Sequence, residues 1–102
     1  MSNVNNLLQP KDPGEIKIVR FQFGADVGES SISTVDMQAA VVEGDDPAPE
    51  SFLSGVPAIS GTDVLQRVTG GVDGCDYKLR CFATDSAGLK HLISCVIPVC
   101  TL

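Results

Sequence analysis

At 102 residues, the chain has the length of one ordinary domain and no room for a second sizeable one. With 43% hydrophobic and 20% charged residues it has a globular profile rather than a disordered one, and no apolar run reaches the roughly 20 residues of a spanning helix. Thirteen acids against seven bases leave a net charge of −6, too few cations to displace phosphate counterions and the wrong sign for an anionic bilayer. Neither nucleic acid nor membrane is therefore an expected partner.

The first residues, through Gln9-Pro10-Lys11-Asp12-Pro13, are polar and broken by two prolines, so residues 1–13 are expected to form a flexible N-terminal arm. Met1 to Asn6 has neither a basic n-region nor an apolar h-region, and synthesis in a cytoplasm is expected. From 14 to 102 the pattern is that of short strands. Ile16 to Phe23 alternates after Ile18 and reads as a strand. Ser31 to Met37 reads as a second, with Ala39 to Glu43 as a short continuation. An acidic, proline-broken loop follows at 44–51, better read as a solvated loop than as a cation cage. Phe52 to Ile59 carries Gly55 and Pro57, which suit an edge strand or a bulge. Thr62 to Thr69 is a further strand, and Gly70-Gly71-Val72-Asp73-Gly74 is a glycine-supplied turn.

The last third has the cleanest pattern. Tyr77, Leu79, Cys81 and Ala83 share one face, mirrored by Ile93, Cys95, Ile97 and Val99. A three-residue loop, Ser86-Ala87-Gly88, would close the hairpin with Gly88 in the left-handed bulge position. That register sets Tyr77 opposite Ile97, Leu79 opposite Cys95 and Cys81 opposite Ile93, which makes Cys81 and Cys95 diagonal neighbours rather than a directly opposed pair. Roughly seven short strands with regular turns in one domain predict an immunoglobulin-like β-sandwich, though not of the antibody type, since the chain has no tryptophan.

No catalytic constellation emerges. His91 is the sole histidine and there is no Gly-x-Ser-x-Gly elbow, so no hydrolytic triad is assembled and the chain is read as a non-enzyme. The spacing of Cys75, Cys81, Cys95 and Cys100 includes no Cys-x-x-Cys knuckle; free thiols are expected, with Cys75 and Cys100 the more exposed pair, and no metal or cofactor.

The string Gly70-Gly71-Val72-Asp73-Gly74-Cys75-Asp76-Tyr77-Lys78-Leu79, then Ala83-Thr84-Asp85-Ser86-Ala87-Gly88, resembles small virion proteins of tailed bacteriophages called fiber-tail adaptors. Lys11-Asp12-Pro13 resembles their motif before the first strand, and Gly28-Glu29-Ser30-Ser31-Ile32 their opening of the second, with one residue extra. Gly24-Ala25 stands where relatives carry an Asp-Trp-type pair. The resemblance spans about residues 11–99. It implies a non-enzymatic virion structural protein, made in the bacterial host cytoplasm, that docks tail or head components to fibres through protein–protein contacts. In such a particle it would be present in multiple copies in a symmetric assembly, with other tail, fibre or connector proteins as partners. A capsid decoration protein, or a surface-binding Ig-like module displayed on the particle, is the alternative. The expected partner contacts are Val4, Leu7 and Leu8 in the arm, and Phe52 and Leu53 beside the proline-broken loop.

Overall fold

The computed structural model describes residues 6–8, 10–24 and 31–102. Its strands are β1 (Asn6–Leu7), β2 (Ile16–Gln22), β3 (Ile32–Glu43), β4 (Leu53–Ser60), β5 (Asp63–Thr69), β6 (Asp76–Asp85) and β7 (Lys90–Pro98), with one 3-10 turn at Pro49–Phe52. Six are full strands and β1 is a two-residue piece. They form two sheets, ordered β1-β7-β6-β3 and β2-β5-β4.

With β2 to β7 taken as strands B to G, the second sheet reads B-E-D and the first contains G-F-C, which is the immunoglobulin partition. Every pairing is antiparallel except β1 on β7, which is parallel. The fold is an immunoglobulin-like β-sandwich, as the strand pattern predicts.

Period-two alternation places the core. Val19, Phe21 and Phe23 point inward from the β2 side, Val64 and Val68 from β5, and Tyr77, Leu79, Cys81 and Ala83 from β6, all buried. The hairpin register is the expected one: Tyr77 faces Ile97, Leu79 faces Cys95, and Cys81 faces Ile93. Gly88 holds φ +88° in the turn, and its N–H donates to the Asp85 carbonyl at 3.0 Å. Loop chemistry and side-chain alternation agree on one register, which is why this hairpin is legible locally.

Three expectations change. Residues 32–43 form one twelve-residue strand, with register shifts near each end, rather than a strand and a continuation. Cys75 is buried, at 2% exposure, because its thiol packs below the 44–46 turn and approaches the Asp45 carbonyl. Of the residues read as an arm, Leu8 donates its N–H to the Val96 carbonyl, and Lys11 is wholly buried, bridged to Val99.

Candidate docking site on the three-stranded sheet

Val19 and Phe21 fill the core from the inner face of β2, yet Ile16 and Ile18 point outward and are 67% and 61% exposed. Ile18 lies opposite Arg67 of β5, and Arg67 opposite Ser54 of β4; Arg20 lies opposite Leu65, and Leu65 opposite Ala58. These rows build an outer sheet face on which apolar side chains alternate with guanidinium groups. Between Ser54 and Ala58 the β4 register breaks, Gly55 takes φ +75°, and Val56 is pushed out to 89% exposure. Gln66 secures the bulge from below. Its Nε2 donates to the carbonyls of Arg67 at 2.8 Å and Ser54 at 3.3 Å. The result is a shallow depression of about 300 Å³ lined by Ile18, Gly55, Val56, Ala58, Leu65 and Arg67.

Around the corner from this face, the β2 edge borders the seam between the sheets. A groove of about 260 Å³ runs there between Leu8, Lys11 and Ile97 on one side and Lys17, Val19 and Arg20 on the other. A second hollow of about 200 Å³ continues it past Phe21, Gln22, Ile93 and Cys95. Phe23 N–H donates to the Thr62 carbonyl at 3.0 Å. Ladder bonds alternate along an antiparallel pair, so the N–H and C=O groups of Ile18, Arg20 and Gln22 point away from β5, toward this groove. Among the described residues, β2 pairs with β5 alone.

Next to this groove, the loops around Tyr77 are tied rather than open. Tyr77, wholly buried, stacks on Phe52 with ring centroids 4.3 Å apart and planes 8° from parallel. Its hydroxyl accepts the Val72 N–H at 2.8 Å and donates to Asp46 Oδ2 at 2.5 Å. A tyrosine at the start of the sixth strand that bonds back to the backbone upstream is the corner tyrosine of immunoglobulin sandwiches. Burial, and then the Asp46 carboxylate, push the Tyr77 hydroxyl up to about 12, while the same bond holds Asp46 below the ordinary carboxylate range. Lys11 closes the base of the cluster: its Nζ donates to the Gly70 carbonyl at 2.7 Å and the Asp12 carbonyl at 3.0 Å, 5.7 Å from the Phe52 ring centroid. Burial lowers its pKa. Gly71 is required here, since a Cβ would lie 2.9 Å from Val99 Cγ2 and the residue holds φ +96°.

Asp85 serves the hairpin turn. Asp85 accepts the N–H groups of Ala87 and Leu89 through Oδ1 and pairs with His91 Nε2 at 2.9 Å through Oδ2; the His91 contact leads in lowering its pKa. All four thiols are free. Burial pushes Cys81 up to about 12, with Cys95 adding to it, and Cys95 to about 11, so neither is an activated nucleophile.

Of the residues expected to meet partners, Val4 lies outside the described residues. The Leu7 backbone pairs with Val96, and Leu8 is half-buried against the core beside the groove. Leu53 is half-buried at the start of β4. Phe52 is a correction: at 1% exposure it is a core ring held by Tyr77, so its apolarity is satisfied within the domain. Ile16, Ile18 and Val56 are exposed residues that the sequence reading does not assign to a partner; the alternation that sends Val19 and Phe21 inward sends Ile16 and Ile18 outward.

No family model matches the chain, and no curated protein is similar to it.

Proposed function

We propose that the chain is a non-enzymatic structural adaptor of a bacteriophage virion, docking tail or head components to fibres through protein–protein contacts. The observation that carries this reading is the outer face of the three-stranded sheet, where Ile18 and Val56 flank a depression with Leu65 and Ile16 stands exposed further along the same strand, each of the three being more than half exposed. Exposed apolar side chains interleaved with guanidinium groups suit a protein-association face. The resemblance of Gly70 to Gly88 to fiber-tail adaptors supplies the identity of the partners. Many copies in a symmetric particle would multiply a modest contact through avidity.

The test is light scattering coupled to size exclusion, on the chain alone and mixed with tail, connector and fibre proteins of the same particle. A defined complex with one of them, lost in Ile18→Asp, supports the adaptor. A chain that enters no such complex contradicts it.

A further inference from the structure

Among the described residues, the unpaired edges of the sandwich differ in what they could accept. β4 is interrupted by Pro57 and its bulge, which removes a donor and breaks the ladder. The open edge of β3 carries Asp36 and Glu43. β2 is regular over seven residues and pairs with β5 without a register break. It also borders an apolar seam whose floor is Leu8, Val19, Phe21 and Ile97. The charge near it runs against that of the whole chain. The three strands of its sheet hold Lys17, Arg20 and Arg67 against Asp63 alone, in a protein of net charge −6. Glu15 lies 3.8 Å from Lys17 and Asp63 lies 3.7 Å from Arg20; both contacts are long, and the Lys17 and Arg20 side chains stay 42% and 59% exposed.

We infer that the β2 edge is a strand-acceptor site for an extended segment of a partner protein, alternating apolar residues with carboxylates. The segment bonds to the outward N–H and C=O groups of Ile18, Arg20 and Gln22. Its apolar side chains enter the seam on the inner face, and its carboxylates, on the outer face, meet Arg20. Strand addition of this kind draws affinity from main-chain bonds and specificity from alternate side chains. The inference rests on the adaptor reading for the source of the segment, but not for its chemistry.

The test is NMR titration of the full isotope-labelled chain with a short synthetic peptide alternating valine with glutamate, and with the same peptide carrying lysine. The expected result is that the glutamate peptide, at millimolar concentration, protects the Ile18, Arg20 and Gln22 amides from exchange. The lysine peptide should bind at least about tenfold more weakly, and salt near 0.5 M should erode the difference. Arg20→Pro places its ring where the outward N–H was, and should abolish binding. Arg20→Glu, which keeps that N–H, should weaken the glutamate peptide and favour the lysine one. No protection on β2, equal binding of both peptides, or a site that survives Arg20→Pro would overturn the inference. If Arg20→Pro leaves a complex with virion proteins intact, strand addition fails and the adaptor stands. If the peptide binds β2 while no virion protein binds, the adaptor reading fails and the acceptor edge stands.

Discussion

Removing one oxygen from Tyr77 probes how the loop pole is held. In Tyr77→Phe the ring and its stacking on Phe52 are kept, and two hydrogen bonds go: one from the Val72 N–H and one to the Asp46 carboxylate. A neutral bond contributes about 1 kcal/mol net, and one to a charged group about 1.5–3 kcal/mol. Phenylalanine recovers part of this, because no buried hydroxyl then needs a partner, and Val72 is open enough to find water. The expected loss is about 2 kcal/mol, a fall of about 10 °C in Tm for a domain of this size. Tyr77→Ala also empties a buried ring site and should cost about 3–5 kcal/mol. Urea unfolding followed by far-ultraviolet circular dichroism measures both. The alkaline limb gives a second reading. The hydroxyl titrates at about 12 folded against 10 unfolded, so its contribution is full below pH 10 and is lost as pH rises from 10 to about 12. Wild type should therefore converge on Tyr77→Phe across that window. A Tyr77→Phe change below about 0.5 kcal/mol, with no convergence, would refute the corner network as a source of stability.

Gly71→Ala should destabilise by about 1–3 kcal/mol, from the contact with Val99 and the left-handed φ, whereas Gly88→Ala, which meets open space, should cost about 1 kcal/mol; thermal melts separate them. Asp85 is held below its ordinary pKa, so its contribution is present above pH 4 and lost as pH falls through the folded value. Asp85→Asn should flatten that acid limb, and a parallel limb would contradict the capping role. Under native conditions a thiol reagent should modify Cys100, half-buried, ahead of Cys75, Cys81 and Cys95, which should react at the unfolding rate; prompt reaction of Cys81 or Cys95 would contradict their burial.

The hairpin of β6 and β7 was readable because its determinants are local: alternation along each strand and a glycine at the bulge position. The edge character of β4 was readable for the same reason, from Gly55 and Pro57. Lys11 was not. Its burial depends on a carbonyl at Gly70, 59 residues away, and an isolated lysine beside two prolines looks like solvent-exposed arm. Phe52 followed the same logic, since its partner Tyr77 and the Asp46 bond that closes the loop over it appear only in three dimensions. Cys75 reads as exposed because it sits at a strand end, and the 44–46 segment that covers it lies thirty residues earlier. Of the docking face, Ile16 and Ile18 were visible as residues. That they stay exposed is a property of the topology, which puts β2 at a sheet edge whose outer face is uncovered among the described residues.

The most direct test of the adaptor account is amide hydrogen exchange on the chain alone and mixed with candidate fibre or tail proteins. The account predicts new protection in residues 16–22 and around Val56, with β3, β6 and β7 unchanged. Protection confined to the β3–β6–β7 sheet, or no change in β2 within a stable complex, would contradict it.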